Sequence, residues 1–480
     1  MSRNNFYYCL FFSLPIIYYL SLPIATGDLA VWVAHGKYFL SHGEILRTDI
    51  FSVLATRDLV YPFGTCLLYG VTYGVGGLVA VSLLHKLVLF LVLVIWHRYS
   101  LAKLKEPFSY FSLLVIFLAC FGISVFLVDR PALLGILPFL VTYLILQKDA
   151  DLSGKDVLCL NLINIAWVNI HGSWLILIFL YVFREFSRGV IYQKRINLKQ
   201  VFTFFTLLVS SLVNPFGYKV FTYFFETILI SKTRKITEWE GPSFSGQNSI
   251  HYILYTCLLL LVISYCIFIF NRSREKFNKI ITSPFIPILL MGIHSVRNTI
   301  FPYFVLIPFV SKFFLDKGVR YSDKDEKKYL NVVIVFLVFV FGAVFLPNVK
   351  PFFKDLLPEN KREVYDKNNP FEVLPFLNTT KENHAIFNDW EYGSFLILFQ
   401  KHPVFLDTRN IIYSDEQFEE YKMVMNALDG WESILDNHKI KYILLKRNSA
   451  VPLLLTLNSS LKWKTIIVTK HVILYQKIQG

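Results

Sequence analysis

Residues 252–270 read YILYTCLLLLVISYCIFIF, nineteen positions without one charged side chain. As a helix, a run of that length rises about 30 Å, the thickness of a bilayer's hydrocarbon core. Comparable runs recur at 6–26, 78–96, 108–128 and 330–346. The chain has 480 residues, 55% of them hydrophobic, more than a water-soluble domain covers with its polar surface. The five runs therefore predict a polytopic α-helical membrane protein. The first is read as a retained span and not a cleaved signal, because no small-x-small cleavage site follows it.

A formal charge of +14 raises the question of nucleic acid, and its distribution answers it. Residues 348–480 carry 17 basic and 16 acidic side chains, so nearly all of the excess lies among the spans. Short Lys/Arg-rich loops stay in the cytoplasm, and the stretches 98–105, 148–155, 184–199, 272–279 and 317–328, with Arg3, are such loops. No nucleic-acid partner is expected. The alternation places the N-terminus inside and predicts about eleven crossings, with the turns near Asp28, Asp129, His171, Asn214, Arg297 and Pro347 outside. The pairs flanking His171 and Arg297 are short and interrupted by polar residues, which leaves a re-entrant arrangement open there.

This divides the chain into a membrane domain, 1–347, and a soluble extracytoplasmic domain, 348–480. Within the first, the loop 28–77 reads as an amphipathic juxtamembrane helix from Asp28 to His42, a turn at Gly43, an irregular stretch and a second interfacial helix from about Pro62. The tail alternates short β runs (385–388, 403–406, 441–445, 463–468, 472–476) with helical ones (391–400, 415–427, 431–437, 451–458), a small α/β domain. All six cysteines precede it, so it relies on an ordinary core and not on disulfides. It has no Gly-rich phosphate loop, Cys/His cluster or nucleophile elbow.

Ionisable and amide side chains at the ends of membrane helices are costly and mark sites. Here Asp28, His35, Asp49, Arg130, Asn169, His171, Asn214, Glu238, His294 and Arg297 all map to predicted outer helix ends. Each also has a plainer reading. Asp28 can cap its helix, Asp129 and Arg130 can pair before Pro131, and Asn214-Pro215-Phe216-Gly217 can be a helix-stop turn. Asn169 and His171 can bond each other, Arg297 can snorkel to the interface, and Glu238 and Glu240 can sit in a solvated loop.

Several short pieces stand together: an acidic residue (Asp28) after the first span with His35 and Gly36 further along its helix, Arg-Thr-Asp-Ile-Phe-Ser at 47–52, Asp129-Arg130-Pro131, Trp167 to Ser173, Asn214 to Gly217 and Glu238-Trp239. In this combination the chain resembles a bacterial branch of the C-type (GT-C) glycosyltransferase superfamily, polytopic enzymes that use lipid-phosphate-linked sugars. In the tail, Asp389-Trp390-Glu391-Tyr392-Gly393 followed by Asp407-Thr408-Arg409-Asn410 is similar in outline to the Trp-Trp-Asp-Tyr-Gly signature of oligosaccharyltransferase catalytic subunits. It departs at Asp389 and Glu391.

The resemblance implies transfer of a sugar from a polyprenyl-phosphate donor to an acceptor hydroxyl or amide on a glycan, lipid or protein, in the plasma membrane. Asp28 is the expected general base, with Asp49 second. His35, Arg130, Asn169, His171, Asn214, Glu238, His294 and Arg297 are the expected donor-phosphate and substrate groups. A divalent cation (Mg or Mn) on Asp28, Asp49 and Glu238, or no metal, both fit the superfamily. The rival class is a transporter, flippase or assembly protein for lipid-linked glycans. Transporters hold substrate near the midplane at paired half-helices, whereas these polar groups gather at one surface.

Overall fold

The computed structural model describes residues 16, 19, 22, 24, 27–54, 59–103, 119, 122–123, 127–233, 249–271, 273–313, 369–380 and 383–478. Most of the expected spans 6–26 and 108–128, all of 330–346, and Glu238 and Glu240 lie outside them. The chain divides into two compact units: Met1–Leu22 with Ser82–Glu359, and Pro23–Val81 with Asn360–Gly480. The loop 28–77 thus folds into the same unit as the tail.

Helix α1 runs Gly27–His42, and the chain turns at Gly43 with φ +72°, a left-handed conformation that glycine adopts freely. Helix α2, Phe63–Lys103, is interrupted at Gly76 and Gly77, whose dihedrals (φ −157°, ψ 28°; φ 63°, ψ −157°) are not helical. Among the described residues its Phe63–Trp96 portion is the one helix long and apolar enough to cross a membrane, with mean hydropathy 2.7. The expected span 78–96 is the part beyond the glycine break.

In the first unit the helices that follow are α3 (Pro131–Leu134), α4 (Ile136–Leu146), α5 (Gly154–Val168), α6 (Leu175–Ile191), α7 (Leu198–Ser210) and α8 (Lys219–Thr233). After them come α9 (Ser249–Phe270), α10 (Arg274–Ile281), α11 (Phe285–His294) and α12 (Ile300–Phe313). Helices α5 and α7 each start on a capping box, Ser153 with Asp156 and Asn197 with Gln200, which satisfies their first free N–H groups. Asn164 staples the two, donating to Leu207 O at 2.8 Å and to the Ser210 and Ser211 hydroxyls. Such polar contacts between helices satisfy buried groups and fix the pair's register. At one end of this unit Arg184 is 1% exposed and donates to Leu146 O (2.8 Å) and Ala150 O (2.7 Å), while Arg188 reaches Asp149 O (2.8 Å). That end carries the basic stretches 148–155 and 184–199.

The tail contributes α13 (Leu374–Thr379), β1 (Ala385–Asn388), α14 (Gly393–Phe399), α15 (Asp415–Met425), α16 (Trp431–Asn437), β2 (Ile440–Lys446), α17 (Val451–Ser459), β3 (Trp463–Val468) and β4 (Val472–Lys477). The sheet order is β1-β2-β4-β3, with β1 parallel to β2 and the other pairs antiparallel. Four of the five expected β runs are strands; the run 403–406 forms single bridges instead. Pro403 has no N–H, and Phe405 N is shared between Ile386 O and the Asn388 side chain, so no ladder develops. Val404 bridges β1 on one side and Ser52 on the other, and Val404 N donates to Phe51 O while Val53 N donates to Val404 O, both at 2.9 Å. The loop after α1 thereby extends the tail's sheet.

Helix α1 differs from the expectation of an interfacial amphipathic helix. Every residue from Leu29 to Gly36 except Trp32 is buried, because α14 packs along it and α2 crosses it. The crossing is backbone to backbone: a Cβ on Gly36 would lie 1.9 Å from Cys66 O and 2.9 Å from Gly70 N. Overpacking of this kind costs about 1–3 kcal/mol. Gly36→Ala is expected to lower the thermal unfolding midpoint of the purified protein, whereas Gly27→Ala, where a Cβ meets nothing within 4 Å, is expected to leave it unchanged.

Candidate functional site

In the unit formed by 23–81 and the tail, α1 carries Asp28 in its first turn and His35 two turns on. The Asp28 side chain is half-buried, and among the described residues no hydrogen bond or ion pair engages its carboxylate. Trp32 and His35 share its helix face by i+4 and i+7 spacing. His35 is 1% exposed and ringed by Trp32, Phe51 and Tyr61, with centroids at 5.5, 5.1 and 4.7 Å. Its Nδ1 donates to Val31 O at 2.8 Å, which leaves Nε2 as a buried acceptor without a partner among the described residues. Burial, reinforced by the Arg409 charge, lowers its pKa to about 4, so His35 is neutral at physiological pH.

Asp49 is a closed ion pair. Its carboxylate takes Arg409 Nη1 at 2.7 Å and Nη2 at 3.1 Å, together with the Ser52 backbone N–H at 3.0 Å and the Ser52 hydroxyl. Arg409 in turn donates to Asp407 through Nε (2.9 Å) and Nη2 (2.6 Å), and Tyr413 OH closes on Asp407 at 2.6 Å. The side chains of Asp49 and Asp407 are 0% exposed and that of Arg409 3%. Burial pushes the Asp49 carboxyl up, but the Arg409 charge and the hydrogen bonds from Arg409 and Ser52 outweigh it and hold the group below its ordinary range. For Arg409, the two carboxylates likewise overcome burial and raise its pKa well above the ordinary value.

The tail's Trp-Glu-Tyr-Gly segment supports this cluster from behind. Trp390 Nε1 donates to Asp407 O at 2.7 Å, Asp389 accepts from Ser449 Oγ at 2.7 Å, and Glu391 pairs with Lys446. A Cβ on Gly393 would lie 2.1 Å from Leu406 O, so the signature glycine is needed where α14 starts against the Leu406–Asp407 backbone.

In the other unit the predicted residues collect at the end away from Arg184. Asn169 donates to Ile165 O (2.9 Å) and Val213 O (2.8 Å), tying the end of α5 to the turn after α7. His171 Nδ1 accepts from Ser173 N at 3.2 Å, which makes Nε2 the protonated nitrogen, and Arg297 is close enough to act on the ring electrostatically. Asn214 spends its groups inside its own turn, donating to Ser211 O (2.8 Å) and Gly217 O (3.1 Å) and accepting from Phe216 N (2.8 Å). Arg297 lies in the short turn between α11 and α12, after His294, and Arg130 precedes α3. The pairing of Asn169 with His171 is not formed.

Next to Arg130, the motif residue Asp129 gathers partners that the sequence reading did not select. Asp129, 3% exposed, accepts from Tyr19 OH and Ser82 Oγ, each at 2.6 Å. Lys86 Nζ lies 3.7 Å from Asp129 Oδ1, 4.3 Å from the centre of the Tyr19 ring and within hydrogen-bond reach of Ser82 Oγ, and His85 Nδ1 is 4.0 Å from the carboxylate. The signal was present: His85-Lys86 interrupts the apolar run 78–96, and an ionisable pair inside a span is costly enough to mark a site. Truncating Lys86 takes the nearest cation away from the buried Asp129 carboxylate, and breaking a buried pair costs up to about 3–5 kcal/mol. Lys86→Met is therefore expected to lower the unfolding temperature and Lys86→Met with Asp129→Leu to restore it. Recovered stability without recovered turnover would assign the Lys86–Asp129 pair a part in turnover beyond stability.

No protein-family model matches the sequence, and no curated protein matches it. Solved structures do. The oligosaccharyltransferase of Archaeoglobus fulgidus in its apo form aligns with TM-score 0.56 at 11% identity, over 92% of this chain and 70% of its own. ArnT from Cupriavidus metallidurans bound to undecaprenyl phosphate aligns with TM-score 0.52 at 13% identity, over 98% of both chains. Archaeal AglB from A. fulgidus in complex with an inhibitory peptide and a dolichol-phosphate gives TM-score 0.52 at 11% identity, over 93% of this chain and 70% of its own. These neighbours are GT-C glycosyltransferases, and the chain shares their fold, a helix-rich region with a C-terminal α/β domain.

Proposed function

We propose that the chain is a membrane glycosyltransferase that moves a sugar from a polyprenyl-phosphate-linked donor to an envelope acceptor at the outer face of the plasma membrane. Eleven crossings, a cytoplasmic N-terminus and an extracytoplasmic tail go with this reading. The fold supports it, as does the presence of polyprenyl-type phosphates in two structural neighbours, undecaprenyl phosphate with ArnT and dolichol-phosphate with AglB. The observation that carries it is the state of the carboxylates. Asp49 and Asp129 are committed to partners, and Asp28 at the head of α1 is half-buried and uncommitted among the described residues.

In this reading Asp28 takes the proton from the acceptor hydroxyl or amide as the acceptor's oxygen or nitrogen bonds to the sugar's anomeric carbon. The bond from that carbon to the phosphate oxygen breaks, and the polyprenyl phosphate leaves as an anion. A phosphate needs no proton to depart; it needs cations and N–H donors, roles for which Arg130, His171 and Arg297 of the other unit are the candidates. Asn169 and Asn214 serve to shape their turns. A divalent cation on Asp28, Asp49 and Glu238 does not fit, because the oxygens of Asp49 are already taken by Arg409 and Ser52.

The oligosaccharyltransferase echo in the tail carries no sequon recognition in this reading, since the Trp390 N–H and Asp389 are spent inside the domain. A lipid or glycan acceptor is favoured over a sequon peptide. The test is turnover of a panel of polyprenyl-phosphate sugars by the purified protein in lipid, with transfer or donor hydrolysis expected. Binding of donors without turnover across the panel would shift the reading to a carrier or assembly protein.

A further inference from the structure

One end of the tail's sheet combines a cationic cleft with exposed apolar side chains. Lys441 on β2, Lys464 on β3, and Gln476, Lys477 and Ile478 at the end of β4 line a shallow cleft of about 250 Å³. The register holds them together, with Lys464 opposite Gln476 and Trp463 opposite Lys477. Ile478 N donates to Lys462 O at 2.8 Å, which sets Ile478 beside the turn that enters β3, and at that turn Leu461 is 93% exposed. Among the described residues here, Glu432 pairs with Lys462 and Asp436 with Lys477, while Lys439 and Lys464 are exposed. Lys441 lies 3.0 Å from His384, and the exposed Lys464 has no partner among the described residues.

We propose that this face docks on the anionic phospholipid headgroups of the membrane in which the chain is embedded. Lysines beside exposed Leu and Ile are the signature of a surface that seats apolar groups at the headgroup boundary while its cations meet lipid phosphate. An acidic glycan or peptide matches the charge but gives Leu461 nothing to enter. A lipid surface takes both, and the tail is covalently tied to one. The inference is independent of the chemistry performed at Asp28.

The test places a photoreactive p-benzoyl-phenylalanine at Leu461 of the full chain, held in nanodiscs of phosphatidylcholine and phosphatidylglycerol in equal amounts, with mass spectrometry of the adducts. Each surface lysine strengthens anionic-lipid contact about fivefold. Phosphatidylglycerol adducts are therefore expected to exceed phosphatidylcholine adducts about fivefold or more, and Lys464→Glu to remove most of that preference. The same probe at Leu87, half-exposed on the apolar helix, serves as the positive control for lipid capture. Equal labelling of the two lipids at Leu461, adducts to a second copy of the chain, or no adduct while Leu87 labels lipid would each overturn the proposal.

Discussion

Replacing Arg409 by Met is expected to unfold the unit built from 23–81 and the tail, or to lower its unfolding temperature by more than any surface change. Among the described residues Arg409 is the cation hydrogen-bonded to two carboxylates whose side chains are 0% exposed, Asp49 and Asp407. Removing one partner of a buried pair costs about 3–5 kcal/mol because the remaining charge has lost its solvation and gains nothing back; here two charges are stranded. Arg409→Lys is not expected to rescue, since an ammonium cannot give paired donors to both carboxylates. Asp49→Asn with Arg409→Met should be milder than Arg409→Met alone. The pH dependence has a definite sign. The folded pKa of Asp49 is depressed, so its contribution is present above its unfolded value and is lost as pH falls through the folded one. Wild type should therefore lose tail stability on acidification more steeply than Asp49→Asn. Limited proteolysis of the tail and thermal unfolding read both effects, and an Arg409→Met protein as resistant as wild type would remove the cluster from any structural role.

The same cluster shows what the sequence could and could not carry. Local signals were sufficient for α1, Gly43, the start of α2 and four strands of the tail, because caps, glycine turns and period-two alternation are written within a few residues. Partnership was not. Asp49 and Arg409 are 360 positions apart, so the loop motif 47–52 and the tail motif 407–410 read as separate echoes when they are two halves of one ion-pair network. Burial of α1 was missed for the same reason: Gly36 and Gly393 look permissive in sequence, and only their neighbours reveal that each permits a backbone contact. In the other unit, that Asn169, His171 and Arg297 lie at helix ends was legible from the polar breaks in the apolar runs. Lys86 was hidden because a run of apolar neighbours outweighed it, although its charge was the more informative fact.

The separation of Asp28 from Asp49 leads to the sharpest functional expectation. Both are acidic residues of one loop, yet their surroundings divide the roles. A general base must have a lone pair free to reach the acceptor proton, and Asp49 has both oxygens closed by Arg409 and Ser52 while Asp28 has none engaged among the described residues. Asp28→Asn keeps size and shape and removes the base, so turnover should fall about 10²–10⁴-fold, with donor-lipid binding and unfolding temperature near wild type. Asp49→Asn should reverse that pattern: the amide cannot pair with the Arg409 charge, so stability falls first and activity falls only as far as folded protein is lost. Measuring kcat per folded molecule for the two variants in one lipid preparation separates the cases. Full turnover by Asp28→Asn would withdraw the base assignment and move it to an acid outside this loop; a low kcat in a fully folded Asp49→Asn protein would mean that the ion pair opens during the reaction and that its carboxylate takes part in the chemistry.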